Sequence, residues 1–509
     1  MNERVILIGL DGGEPSVLRQ LLPDCPNLQR LATEGAWGPL ASTRPPLSPP
    51  AWATLMTGTN PGKHGVYDFF HMPFRAQRSY VRRLITSAHW RAPALWDRLD
   101  RHGRRGGFVN MPMCYPPPAT DGFFVCGLGA PPGADSIAYP PSLAAELAGV
   151  ELEPGDGTAA GDPDAFLARC ERVGATMLEV SERLWRANRL DLFCAALTFP
   201  DRFQHCFWRA LERGDAGVTG AYRRWFVAFD DFLGRILDAA DDAGTTVFLF
   251  SDHGFGPVQQ YFHVNRWLLR RGYLHLRDAS ALGRPDGLLT AIDWERTRAY
   301  CLSEYGDLRL NLRGREPLGI VAPGAEADTL LGTLAADLHA LDDGAPGPVA
   351  TGIVRGTSCY HGPLADDGPD LLVRLRGFST LCRIDGRGAD LRDPDGPLFV
   401  AADGPEHYRG SHRESGLLAA WGAGVQRPAE PFAARACDLC PTVLHLLELP
   451  LDATMDGRVL GELLAPTHAA RAPRWEDSGD VAASEGPDVY DQDEEAAVTE
   501  QLRQLGYVE

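Results

Sequence analysis

No stretch of the 509 residues approaches the roughly 18 to 20 consecutive apolar residues that a membrane-spanning helix needs. The opening segment MNERVILIGLDGG holds only a short apolar run that stops at Asp11, with no small-residue cleavage pattern, so it does not read as a signal peptide. Basic residues are in the minority. The 49 Lys and Arg against 68 Asp and Glu leave a net charge of -19, which argues against a basic groove for nucleic acid and against attraction to an anionic membrane surface. It does not argue against a phosphate-bearing ligand, because bound divalent cations reverse the local field of an acidic protein. The eleven cysteines are odd in number and follow no signal peptide. They fit reduced, mostly buried thiols and a cytoplasmic location better than a disulfide framework. No internal repeat is visible.

What is present is an ordinary globular composition, 44% apolar and 23% charged, in a chain long enough to bury a large core. RVILIGLDGG reads as a strand entering a Gly-rich turn, and residues 25–35 as a short helix. SPPAWATLMTG places prolines at a helix entrance with an apolar helix behind them. RRGGFVNMP, LDLFCAALTFPD and TVFLFSDHGFG are apolar runs ending in polar or Pro-containing turns, and residues 222–244 carry clear helical periodicity. Strands alternating with helices predict an α/β core with a central, mostly parallel sheet flanked by helices. Residues 1–256 and 401–465 read as its two parts. The alternation is lost over 257–400, where short strand-like pieces such as DLRLNLRG and DLLVRLRG sit among Gly, Pro and Arg; this segment reads as an inserted lid or substrate-contacting subdomain. The acidic tail, 466–509, is expected to be partly mobile, with EEAAVTEQLRQLGYVE closing as a terminal helix.

Ligands in such folds gather beyond the carboxyl ends of strands, and that is where chemistry-bearing side chains collect. Asp11, Asp201 and the pair Asp252 and His253 each follow an apolar run. Asp201 and His205 stand four apart, so one helical turn puts both on one face. His412 lies in GSHRESG. Three carboxylates and three imidazoles, with one serine, suffice for two divalent metal ions, and such a pair can hold both ends of a phosphoryl displacement. Each residue also has a plain structural reading: a strand-end Asp as a helix cap or turn residue, an i,i+4 Asp–His as a surface pair, His412 as a loop residue.

STRPPLSPPAWATLMTGTNPGKHGVYDF resembles the nucleophile segment of the alkaline phosphatase superfamily, in the branch of type I phosphodiesterases and nucleotide pyrophosphatases. LIGLDGG, TFPDRFQHCFW, FLFSDHGFG and GSHRESG follow in the order that family has. The resemblance covers residues 4–68, 190–265 and 405–460, and implies an alkaline-phosphatase-like core. It implies one metal held by Asp201, His205 and His412, and a second by Asp11, Asp252 and His253. Ser48, touching the second metal, would be the nucleophile. The implied ions are zinc, with manganese or iron tolerated by a mixed His and Asp set. The implied activity is hydrolysis of phosphodiester or pyrophosphate bonds through a phosphoserine, on a small phosphate ester such as a nucleotide or lipid-headgroup diester. A phosphomonoesterase or phosphotransferase using the same two metals is the alternative, and a phosphoryl-ligand binding protein the non-enzymatic one. The sulfatase motif is absent, since Ser48 is followed by Pro50 and Trp52 where Pro and Arg would stand. One departure bears on substrate: the asparagine that follows HG in nucleotide pyrophosphatases is matched here by Phe69, which donates no hydrogen bond. Asn110 and Lys63 are weighed as phosphate contacts against turn and surface roles, and His64 reads as structural. Arg309, Arg313, Arg315, Arg355, His361, Tyr305 and Tyr360 are the recognition candidates of the 257–400 segment.

Overall fold

The computed structural model describes residues 3–72, 74, 79–154, 162–241, 244–284, 286–384, 391–403, 410–477 and 489–505. Among them, one central sheet is built from β1 (Arg4–Leu10), β2 (Ala36–Ala41), β3 (Gly106–Met111), β4 (Phe123–Cys126), β5 (Ala138–Tyr139), β6 (Leu192–Leu197), β7 (Thr245–Phe250), β8 (Ser415–Gly422) and β9 (Ala434–Arg435). Their spatial order is β9-β2-β8-β7-β1-β6-β3-β4-β5. β1 runs parallel to both neighbours, β6 and β7, and β3 runs parallel to β6 and β4. β8 is antiparallel to β7 and β2, so the sheet is mixed but mostly parallel. The sequence shows why: β3, β6 and β7 are buried along their whole length, as continuous apolar runs covered by helices on both faces must be.

Alternate residues of β1 enter different cores, as the two-residue period of a strand requires. Ile6, Ile8 and Leu10 pack with Phe166, Met177, Phe229 and Leu233 of the helices Pro163–Ala187 and Ala216–Asp241. Val5 and Leu7 pack on the other face with Trp52, Leu55, Leu439 and Val443 of the helices Ser48–Thr57 and Leu439–Leu446. The result is a three-layer α/β/α core. The helix expected over 222–244 starts earlier, at Ala216, because the Asp215 carboxylate accepts hydrogen bonds from the N–H groups of Gly217 and Val218. A GDAGVTG stretch hides that start, since glycine carries no helical periodicity.

Residues 257–400 contribute all of a four-stranded sheet and nearly all of a three-stranded one. They enclose a separate hydrophobic cluster around Trp267, Tyr300, Leu310 and Leu334. The terminal helix Gln492–Leu505 buries Val498 and Leu502 in the same core that holds Ile6 and Leu10. Residues 478–488 of the tail, expected to be mobile, lie outside the described residues. No described helix is long and apolar enough to cross a membrane.

Candidate metal centre

Because β7, β1 and β6 are adjacent and parallel, the residues that follow them leave the sheet side by side. Asp11 follows β1, Asp252 and His253 follow β7, and Asp201 lies in the first turn of the helix Phe199–Glu212 that follows β6. His205 is one turn further along that helix. His412 comes from a two-stranded ribbon, Gly410–Arg413 paired antiparallel with Gly254–Pro257, in which it stands opposite Phe255. Ser48 opens the helix Ser48–Thr57. All seven side chains are at least 95% buried. The close packing relies on Gly12, whose φ of 65° favours glycine and where a Cβ would come within 3.0 Å of the Asp201 Cβ.

The tautomers of the three histidines follow from their hydrogen bonds. Nδ1 of His205 donates to the Gly410 carbonyl (3.2 Å), Nδ1 of His253 to that of Gly254 (3.1 Å), and Nδ1 of His412 to that of Pro46 (2.8 Å). A carbonyl only accepts, so each Nδ1 carries the proton and each Nε2 presents a lone pair inward. Those lone pairs face oxygens. His412 Nε2 is 3.2 Å and His205 Nε2 3.5 Å from Asp201 Oδ1. His253 Nε2 is 3.2 Å from Asp252 Oδ2 and 3.6 Å from Asp11 Oδ1. The two Nε2 atoms of His205 and His412 are 3.0 Å apart. Asp252 Oδ2 is buried and makes no hydrogen bond. Acceptors facing acceptors is an arrangement that a cation between them resolves, and backbone carbonyls orienting the far ring nitrogens are the usual outer shell of a histidine-ligated metal.

Among the described residues, two overlapping clusters bring their ligand atoms within 4.8 Å of one another and could each hold a metal ion: Asp201, His253 and His412, and Asp11, Asp252 and His253. His253 belongs to both, and its ring stacks on that of His412 with centroids 3.7 Å apart. His205 adjoins the first cluster through Asp201 and His412. Imidazole nitrogen with carboxylate oxygen suits zinc, manganese or iron. The electrostatics point the same way. Burial, then the neighbouring Asp201, raises the Asp11 carboxyl well above the ordinary range; burial and Asp11 do the same to Asp252.

Ser48 Oγ lies 3.2 Å from His253 Nε2 and 3.4 Å from Asp11 Oδ1. Its helix offers an anion less than its position promises, since Pro49 and Pro50 have no N–H and the Ala51 N–H already donates to the Leu47 carbonyl. Three supports escaped the sequence reading. Trp52, one turn after Ser48, donates its indole N–H to Asp11 Oδ2 (3.2 Å). Arg202 bonds Asp201 Oδ2 (2.7 Å) and Glu153 Oε2 (2.9 Å). Gln204 donates to the Gly12 carbonyl (2.8 Å). Only Arg202 carried a signal, as a cation next to a metal-ligand candidate.

Other candidates fall elsewhere. Lys63 is held by Asp456 and the Thr454 carbonyl, His64 is buried against Thr54, and Asn110 donates to the Ala196 carbonyl. Phe69 is a core residue. A cavity of about 810 Å³ reaches His205 and His412, and of the seven recognition candidates only Tyr305 lines it. Arg309 borders a smaller neighbouring cavity of about 300 Å³. Arg315 is bound to Glu316 and Asp370, Arg355 to Asp328 and His361 to Asp456. Arg313 donates to the Ile320 carbonyl and Tyr360 to that of Arg44. No disulfide joins any of the eleven cysteines. Cys437 and Cys440 form a Cys-x-x-Cys that the cysteine reading overlooked, but burial pushes both thiols up to about 12, the opposite of a redox-active pair.

A three-layer fold with Asp and His clusters at the carboxyl ends of its central strands defines a metal-dependent hydrolase scaffold, and comparison with known proteins agrees. Residues 5–337 match the family described as type I phosphodiesterase / nucleotide pyrophosphatase, and the chain belongs to that family. Family membership and the two clusters together support a metal-dependent hydrolase of phosphodiester or pyrophosphate bonds. No curated protein sequence matches significantly. Among solved structures, the chain is similar to an inactive form of murine ectonucleotide pyrophosphatase/phosphodiesterase 5 bound to AMP, at 13% identity and TM-score 0.53 over 91% of this chain and 100% of that one. The human protein of the same name gives 14% and 0.52, over 91% and 99%. Phosphonoacetate hydrolase from Sinorhizobium meliloti 1021, bound to phosphonoformate, gives 15% and 0.52, over 88% and 96%. At these identities the likeness is one of fold.

Proposed function

We propose that the protein is a two-metal phosphodiesterase that works through a phosphoserine at Ser48. The observation that carries this reading is the position of Ser48 Oγ, within 3.2 to 3.4 Å of His253 and Asp11 in the second cluster. Asp11, Asp252 and His253 would hold one ion, and Asp201, His205 and His412 the other, zinc being the expected metal. Divalent ions bound there supply positive charge that lowers the pKa of nearby hydroxyls and offsets charge on phosphoryl oxygens. The chain's own groups do the rest. Trp52 and Arg202 fix the carboxylates of Asp11 and Asp201. Burial keeps bulk water from Ser48. The Ser48 oxygen bonds to phosphorus as the bond from phosphorus to the leaving oxygen breaks, the serine proton ending on the departing alcohol. Water then cleaves the phosphoserine, releasing a monoester and restoring the hydroxyl.

A diester fits better than a monoester because the cavity beside the clusters, at about 810 Å³, is the size that holds a drug-sized ligand. The 257–400 segment, which supplies Tyr305 and other cavity residues, acts in this reading as an inserted substrate-contacting subdomain. Nucleotide and lipid-headgroup diesters are the substrates to screen; AMP and phosphonoformate, bound by the two relatives, show that this fold accepts phosphoryl and phosphonyl anions. Cysteines without a disulfide fit a reducing compartment, the cytoplasm.

The test pairs turnover of bis-p-nitrophenyl phosphate and p-nitrophenyl phosphate by the zinc-loaded and manganese-loaded protein with the same assay on Ser48→Ala. The expected result is preference for the diester, and a Ser48→Ala protein that keeps two metals per chain but forms no covalent intermediate. Preference for the monoester would move the assignment to phosphatase. Near wild-type turnover by Ser48→Ala would replace the serine by direct attack of water.

A further inference from the structure

The residues of the terminal helix Gln492–Leu505 that face away from the core do not all face solvent. Gln492, Glu495, Ala496, Thr499 and Arg503 line the cavity that also reaches His205 and His412. Their spacing of three and four places them on one stripe of the helix, while Val498, Leu502 and Leu505 form the buried stripe. The helix is fixed in place rather than lying loosely against the opening. Glu495 accepts from the Leu84 N–H (3.3 Å) and pairs with Arg83 (3.6 Å). Just before the helix, Tyr490 donates to the Gly129 carbonyl (2.6 Å) and stacks on Tyr115.

We propose that this helix is a specificity element of the active site: it walls the cavity so that one ester group of the substrate diester must be extended, apolar where it passes Phe70, Leu288 and Leu302 and polar where it meets the helix. The inference rests on the phosphodiesterase reading and deepens it. A phosphoryl group with its metals fills a small part of about 810 Å³, so the remaining walls see the ester group.

The helix offers a paired test, because Ala496 and Ala497 are adjacent and exposed but only Ala496 lines the cavity. The probes are bis-p-nitrophenyl phosphate and methyl p-nitrophenyl phosphate, which share a leaving group and differ in the bulk of the other ester. In the full-length metal-loaded protein, Ala496→Trp is expected to lower the ratio of kcat/KM for the bulky over the small diester about tenfold, mostly through KM. Ala497→Trp should leave that ratio at the wild-type value. Ala496→Leu, a milder filling, should move it in the same direction by less, and thermal unfolding of all three variants separates a filled cavity from a damaged fold. An unchanged ratio in both Ala496 variants, with wild-type turnover intact, would overturn the role of the helix and leave the diesterase reading standing. Failure of the wild type on both diesters would sink the diesterase reading and this inference with it.

Discussion

Two buried clusters of charged side chains in this molecule have opposite logic. In the 257–400 segment, Arg315 makes a two-pronged bond to Asp370 (2.9 and 2.7 Å) and another to Glu316 (2.8 Å). Glu316 also accepts from Tyr300 and from the Leu312 N–H, and Asp370 from the Leu310 N–H. Every acceptor there meets a donor. At the ends of β1, β6 and β7 the carboxylates meet donors on one side, Trp52 and Ser48 for Asp11, Arg202 for Asp201 and the Gly12 N–H for Asp252, but face imidazole lone pairs on the other, and Asp252 Oδ2 meets no donor. The first cluster is complete as folded; the second is completed by something positive. Burial of charge alone therefore does not identify a site, whereas burial of acceptors without donors does.

The comparison breaks most readily at Asp252. Asp252→Ala is expected to empty the second metal position and lower turnover roughly a thousandfold or more; two metals per chain by elemental analysis would contradict the assignment. Its sharper form uses the metal-stripped protein, where Asp252→Asn removes a buried carboxyl whose ionisation burial and Asp11 oppose, and should raise the unfolding temperature. The same kind of change in the closed cluster should do the reverse: Asp370→Ala removes the two-pronged partner of buried Arg315, leaving Glu316 to bear its charge, and should cost about 3 kcal/mol in denaturant unfolding. A neutral outcome would show that solvent reaches Arg315.

Asp307 stands between the two cases, buried and, among the described residues, bonded to neutral donors, Ser303 Oγ and the Val373 N–H, both at 3.4 Å. Burial, opposed by those bonds and reinforced by Asp68, raises its carboxyl to about 7. Between the unfolded value near 4 and about pH 7 the unfolded chain has released this proton and the folded chain has kept it. Stability from this group is therefore greatest at low pH and falls as pH rises through that window, by a few kcal/mol at most, at about 1.4 kcal/mol per pKa unit. Asp307→Asn should flatten that part of the stability profile. The smallest effect is expected at Trp52: Trp52→Phe keeps the packing and removes the bond to Asp11, and should weaken metal binding about tenfold by calorimetry. An unchanged affinity would make Trp52 a packing residue only.

The site was legible in the sequence to the extent that it sits at strand ends. Apolar runs, VILIGL before Asp11 and VFLF shortly before Asp252, announce a buried strand and a polar tip, and the i,i+4 spacing of Asp201 and His205 announces a shared helix face. The terminal helix was legible from its own periodicity. The arginines of the 257–400 segment were not, because a guanidinium in a sequence looks the same whether it meets a substrate or Asp370. Trp52 reads as one more apolar residue of a buried helix until β1 brings Asp11 to its indole nitrogen.

The sequence by itself thus determined the alternation of strands and helices, the residues placed at strand tips and the family to which they conform, since these depend on local pattern and on spacing along the chain. Only the tertiary structure decided that His253 belongs to both candidate clusters, that the imidazole lone pairs turn inward, and that a tail more than 280 residues from His205 in sequence walls the cavity that reaches it. Each of these depends on the order β7-β1-β6 and on contacts between distant segments, and no local preference of the chain encodes a distance between residues that meet only when the sheet forms.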